Sequence, residues 1–185
     1  MGDEKMNSSP TMETKRLILR EVEVEDAHDV LEFMSDHQVM KYMYSYLSDL
    51  DETVAYIEEE LLYPEDDSPP AYAIELKKSG KVIGLCYFHS LFDGRGQVAF
   101  MLNQIYQHQG YMNEALLSLL EIGFSVFGLR RIEAIVLVDN LASERCLRKL
   151  GFCFEGILRD YALIHHKTYD AKLYSLLETD WRKER

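Results

Sequence analysis

Hydrophobic and polar positions alternate between two periods along this chain. Residues 16–20, Arg-Leu-Ile-Leu-Arg, read as a strand. Residues 26–34 switch to helical spacing, with Val30, Leu31 and Met34 inward, and the helical region is expected to continue through residues 39–42. A second helix opens at Ser48, with Asp51 three residues on in a capping-box-like start, and carries Val54, Ile57, Leu61 and Leu62 until Pro64 ends it. After a polar loop at 65–70, residues 71–76 and 82–88 form a hairpin around Lys77-Lys78-Ser79-Gly80. Asp93-Gly94-Arg95-Gly96 then turns the chain into a strand at 98–102. The helix from Asn113 places Leu116, Leu117, Leu120, Phe124 and Phe127 on one face and stops at Gly128. A buried strand at 132–138, a helix at 142–150 closed by Gly151, and strands at 154–164 and 172–177 complete an α/β pattern without repeats.

At 185 residues and 47% hydrophobic, the chain can bury one core, so a single domain is expected over 13–185 behind a disordered leader at 1–12. No segment approaches the ~20 apolar residues needed to span a bilayer, and the polar start is unlike a signal peptide. A cytoplasmic protein is expected, with no membrane partner. Cys86, Cys146 and Cys153 lie in apolar segments without metal-ligand spacing and are expected to be buried as small hydrophobes. A net charge of -12 argues against nucleic acid as a partner and favours cationic substrates; acidity that serves only solubility stays open beside this. His165-His166 reads as a turn rather than a metal site, because neighbours on a strand point to opposite faces. No metal is expected.

The chemistry concentrates in the second half. The loop Gln107-His108-Gln109-Gly110-Tyr111-Met112 runs into a helix, whose first turn presents unpaired N–H groups and the positive end of its dipole. This is a candidate pyrophosphate site. A second helix opens at Asn140-Leu141-Ala142-Ser143.

These segments resemble the GNAT superfamily of N-acetyltransferases, in which Gln or Arg, two free positions, Gly, one free position and Gly or Ala cradle the pyrophosphate of acetyl-coenzyme A (acetyl-CoA). Gln107 and Gly110 match, whereas Met112 replaces the small residue and is expected to crowd the pyrophosphate unless it turns away. Gly110-Tyr111, Glu114-Ala115-Leu116, the run from Gly128 to Ala134, Asn140 with Ser143, Leu150-Gly151-Phe152, the run from Glu155 to Asp160, and Asp170 resemble the ribosomal-protein N-terminal acetyltransferase type. The resemblance implies a mixed, mostly antiparallel sheet, flanked by helices, whose two central strands splay apart around the pantetheine arm. Those strands are 98–103 and 132–138. It implies that Met101, Leu102 and Asn103 offer backbone groups to the pantetheine and acetyl carbonyl. It likewise implies that Gln107, His108, Gln109, Gly110, Tyr111, Met112 and Asn113 hold the pyrophosphate, and that Asn140 and Ser143 meet the pantetheine from the other strand. Some of Arg130, Arg131, Arg145, Arg148 and Lys149 then contact the adenosine phosphates, with solvated helix positions as the alternative. Dimers are common in this family, so a homodimer is possible.

Acetyl transfer needs a neutral amine, a donor for the carbonyl oxygen and an acid for the thiolate. A thiol pKa of about 8.5 makes a hydroxyl sufficient as the acid. By the resemblance this is Ser143; an ordinary first-turn helix residue is the alternative. By the same resemblance, relatives often carry Glu at the start of the strand before the loop, where this chain has Gln97, and some carry a carboxylate on the strand after Gly156, at the position of Ala162; Asp160, two residues from it on the same face of a regular strand, is the candidate base. A structural partner for Arg159 is the other reading of Asp160. Deprotonating a lysine-like amine at pH 7 costs roughly 4.6 kcal/mol, against about 1.1 kcal/mol for an α-amino group. A site without a strong base therefore suits an N-terminal α-amine, with a basic peptide or protein N-terminus as the candidate partner. A polyamine or aminoglycoside acetyltransferase and a non-catalytic CoA-binding domain remain alternatives. Tyr42, Tyr44, Tyr46, Tyr56 and Tyr63 are candidate pocket residues, with core or surface roles as the other option. His89 could face the acceptor amine or serve a structural role.

Overall fold

The computed structural model describes residues 10–44, 46–63 and 68–183. The expected leader falls mostly on residues 1–9, outside the described residues, and its last residue is already structured. Met12 pairs with Leu19, so β1 (Met12–Glu13) joins β2 (Leu17–Glu21). The remaining strands are β3 (Tyr72–Leu76), β4 (Val82–Phe92), β5 (Arg95–Leu102), β6 (Arg131–Leu137), β7 (Cys153–Ile164) and β8 (Lys167–Leu177). They form a mixed, mostly antiparallel sheet in the order β1-β2-β3-β4-β5-β6-β8-β7, with β5 and β6 its parallel pair.

Helices cover both faces: α1 (Ala27–Met34), α2 (Leu50–Tyr56), α3 (Tyr111–Ser125), α4 (Leu141–Lys149) and α5 (Glu178–Lys183). Alternation along β4 serves two cores. Cys86 and Phe88 pack into the cluster under α3, whereas Leu85 faces the cluster that includes Val30, Phe33 and Ile57. No helix among the described residues is long and apolar enough to cross a membrane.

Several expectations shift. Residues 39–42 form turns rather than a helical continuation. Met40 is buried there, so an apolar anchor in a turn mimics helical spacing. In α1, Phe33 is buried while Leu31 is only half-buried. The cap of α2 is Asp49, whose carboxylate accepts from Glu52 N–H, while Ser48 donates to the Glu52 side chain at 2.8 Å. α2 continues into a π-helical turn, Ile57–Leu62, that keeps Ile57 and Leu61 inward; the expected stop at Pro64 lies outside the described residues. α3 buries Leu119 and leaves Leu117 38% exposed, so its buried face runs through Ala115, Leu116, Leu119 and Leu120. The last hairpin turns at His165 and His166, which have left-handed φ of 48° and 62°, so β8 begins five residues earlier than its apolar pattern suggests. Among the cysteines, Cys86 is buried, Cys146 is intermediate and Cys153 is exposed on the edge strand.

Candidate active site

The site begins where β5 and β6 part. They pair only at Arg95–Arg131, Gly96–Ile132 and Gln97–Glu133, and beyond these pairs the strands separate. Arg131 braces the fork through Glu133 and Glu155, each at 2.6 Å. The Arg131 guanidinium and the Ser175 hydroxyl hold the Glu155 carboxyl well below its ordinary value, at about 2. The opening continues into a cleft of about 570 Å³, lined by β5 from Gln97 to Met101 on one side and by β6, Asn140 and Ser143 on the other.

The backbone of β5 is presented to this gap in alternate groups. Asn103 N–H donates to Ile83 O at 2.8 Å, so the groups of Leu102 and Phe100 point away from β4, toward the gap. Leu102 O accepts from Gln107 Nε2 at 3.0 Å, which leaves its N–H facing the opening. Gly84 permits this geometry, because a Cβ there would lie 2.4 Å from Met101 O. Asn103 departs from its expected role as a backbone donor. Its N–H is taken by Ile83, and its buried side chain bonds Glu32 and caps the 3-10 turn Gln104–Tyr106.

The loop beyond leads into the N-terminus of α3. Gly110, at φ 82°, forms the N-cap of α3 without any side-chain cap, and the first main-chain bond inside the helix is Glu114 N–H to Gly110 O. The N–H groups of Tyr111, Met112 and Asn113 therefore lack helical acceptors. His108 adopts a left-handed φ of 61°. Gln107 and Gln109 spend their amides on Leu102 O and Ile105 O, shaping the loop rather than reaching outward. Met112, the departure expected to crowd a phosphate, turns into the core and is 9% exposed. Asn113 Nδ2 is buried without a hydrogen-bond partner among the described residues. An unpaired amide beside unpaired N–H groups fits the pyrophosphate that the resemblance implies.

Sequence reasoning missed the brace behind this loop. Arg16 donates Nη1 to Gln109 O at 3.0 Å, lies 4.1 Å over the Tyr111 ring and pairs with Glu114 at 2.7 Å. Burial pushes the Glu114 carboxyl up, but hydrogen bonds from Thr14 and Arg16 overcome it and leave a net lowering. The only local signal is an Arg at the start of a strand.

On α4, Asn140 accepts the Ser143 N–H at 3.2 Å, so Asn140 rather than Ser143 caps the helix. The Ser143 hydroxyl has no hydrogen bond among the described residues and lines the cleft. Asp160 is placed differently. The register of β7 against β8 shifts between Leu158 and Ala162, and Asp160 sits in that bulge at φ 53°. Its N–H bonds Asp170, it forms no ion pair with Arg159, and the cleft is lined by Tyr161 and Ala162 instead. The regular strand that would have aligned Asp160 with Ala162 is absent. Of the basic residues, Arg130 pairs with Asp93 and Arg148 with Glu144, while Arg145 and Lys149 are exposed without ion pairs among the described residues.

Tyr42, Tyr44 and Tyr56 line the cleft, whereas Tyr46 lies against His37 and Tyr63 is 75% exposed. Tyr42 donates to Asp139 O at 2.9 Å, fastening the segment between α1 and α2 to the β6 side of the opening. His89 also lines the cleft, with Nδ1 3.1 Å from Ser90 Oγ.

Comparison with known proteins fits this geometry. The sequence profile described as "Acetyltransferase (GNAT) domain" matches residues 16–153. The chain is 32% identical to "Uncharacterized N-acetyltransferase p20" of Bacillus licheniformis over 177 residues, covering 92% of this chain and 98% of that protein. It is 30% identical over 104 residues to the [ribosomal protein uS5]-alanine N-acetyltransferase of Escherichia coli, covering 55% of this chain and 54% of the relative. The crystal structure of an acetyltransferase (GNAT family) from Bacillus anthracis superposes with a TM-score of 0.82 at 25% identity, covering 92% of this chain and 99% of that one.

Proposed function

The chain belongs to the GNAT acetyltransferase family, so it is an acetyl-CoA-dependent N-acetyltransferase, and we propose that its acceptor is the α-amino group of a peptide or protein N-terminus. The observation that carries this reading is the Ser143 hydroxyl, without a hydrogen bond among the described residues, in a cleft lined by Gln97 where the resemblance would place a Glu. When bound, acetyl-CoA supplies an activated acyl group and a thiolate leaving group. Asn113 and the N–H groups of Tyr111 and Met112 bind the pyrophosphate, and Arg145 and Lys149, which form no ion pair among the described residues, are the candidates to meet the adenosine phosphates. Leu102 N–H faces the gap and polarises the acetyl carbonyl as negative charge develops on its oxygen. Ser143 donates its proton to the leaving sulfur, and the proton that the nitrogen loses as the amide forms restores the Ser143 hydroxyl. With Gln97 at the fork, the amine arrives already neutral, which an α-amine of pKa about 7.8 achieves at a cost of only ~1 kcal/mol at neutral pH.

The relative named for acetylating an alanine of ribosomal protein uS5 supports an N-terminal acceptor of the ribosomal-protein type. Polyamine or aminoglycoside acetylation is the second enzymatic reading, favoured by the net charge of -12. The test is transfer to alanine-initiated peptides by the parent and by Ser143→Ala. The variant is expected to lose roughly 10- to 100-fold in kcat while keeping its affinity for acetyl-CoA. Turnover of spermine with none of the peptides would overturn the N-terminal acceptor, and an unchanged kcat would remove Ser143 as the acid.

A further inference from the structure

The acceptor side of the cleft carries one carboxylate that the mechanism does not use. Glu60 lies on the π-helical turn that extends α2, four residues after Tyr56 and on the same face. Both line the cleft, and Tyr87 approaches from β4, where it pairs with Ala99 of the splayed strand. Tyr56 and Tyr87 are neighbours across this wall, and Glu60 lies close enough to raise both phenol pKa values beyond the larger effect of burial. Among the described residues lining the cleft, Glu60 is the only carboxylate, and no Lys or Arg is present. Glu60 itself is exposed and makes no ion pair among the described residues. Among the described residues, the cleft lining thus carries one carboxylate with no lysine or arginine beside it.

We infer that Glu60 recognises a second positive charge on the acceptor, beside the amine that is acetylated, with Tyr56 and Tyr87 forming the wall next to it. The reacting nitrogen must be neutral when it attacks, so the cation that Glu60 holds is a different group. For an N-terminal acceptor, it is a basic side chain close behind the first residue. The π-turn gives this geometry a local cause. Leu61 O accepts from Ala71 N–H at 2.8 Å, anchoring the widened turn while Leu61 and Ile57 stay buried, and this leaves Glu60 at the opening.

The inference rests on the cleft being the acceptor site of an acetyltransferase, and the test separates the two claims. Ala-Lys-Lys-amide and Ala-Gln-Gln-amide offer the same α-amine with and without nearby cations. The parent is expected to show a KM at least tenfold lower for the lysine peptide, and this preference should shrink as salt rises. Glu60→Gln should erase the preference and Glu60→Lys should invert it, with acetyl-CoA affinity held within twofold in both. A preference unchanged in Glu60→Gln overturns the inference. If neither peptide is acetylated, the N-terminal acceptor fails by itself, and calorimetric titration with 1,4-diaminobutane then decides the role of Glu60. Binding by the parent that Glu60→Gln weakens tenfold sustains it, and equal or absent binding in the two proteins refutes it.

Discussion

Replacing Met112 separates the two jobs that meet at the start of α3. The position falls in the pyrophosphate loop by sequence, yet its side chain is 9% exposed and packs in the core cluster with Leu116 and Leu120. Burying a Met side chain and then deleting it to Ala typically costs about 2–5 kcal/mol, including the cavity left behind. The site lies in the first turn of a helix, where relaxation is easier and Ala is a slightly better helix former, so Met112→Ala should cost about 2–3 kcal/mol. For a chain of this size each kcal/mol moves Tm by roughly 2–4 °C, giving a fall of about 4–12 °C by thermal unfolding. Acetyl-CoA affinity, measured calorimetrically well below the new Tm, should stay within about threefold, because the N–H groups proposed to meet the ligand belong to the backbone. A Tm within 1 °C of the parent together with a tenfold or larger change in acetyl-CoA affinity would refute the reasoning, since it would put the side chain in the ligand site rather than the core.

Other perturbations follow from the fork and its supports. Gly84→Ala places a Cβ where Met101 O lies 2.4 Å away, so β5 must shift; acetyl-CoA affinity should drop about tenfold or more along with a loss of about 1–3 kcal/mol in stability, and an affinity equal to the parent's would contradict the role given to this arm. Glu155 has a folded-state pKa lowered from 4.5 to about 2, so its stabilising contribution is complete above pH 4.5 and is lost as pH falls toward 2. Glu155→Gln should therefore be less stable than the parent at pH 7, with the two Tm curves converging between pH 4.5 and 2; parallel curves would show that the Arg131 brace carries none of the acid sensitivity.

Much of this architecture is legible in the sequence because it rests on short-range signals. The turn at Gly80, the Asn140 cap, Gly151 and the apolar run at 132–138 each depend on a few adjacent residues, and each lies where its pattern indicates. The splayed strands and the cradle at Gly110 follow from the resemblance, and the structure adds why the loop holds its shape. What escapes is irregular backbone. A π-turn changes the helical period, so Glu60 looks like one more solvated acid in a run of three. The β7 bulge uses Asp160 at positive φ without a glycine to mark it, which breaks the two-residue alternation used to place that side chain. Arg16 is hidden for another reason: its partners Gln109 and Glu114 are 93 and 98 residues away in the chain, and no local period reports such a contact.

The central claim, an α-amine attacking without a strong base, is tested most directly by two acceptors that differ only in which nitrogen is free. Peptides of one sequence, one with a free N-terminus and acetylated lysines, the other N-terminally blocked with free lysines, would be compared by kcat/KM at pH 7 with saturating acetyl-CoA. The difference of about 3.5 kcal/mol in the cost of a neutral amine corresponds to a preference of a few hundred-fold for the free N-terminus. A ratio above about one hundred supports the account; equal rates, or a preference for the lysine amine, would contradict it and require a base that the cleft has not been assigned.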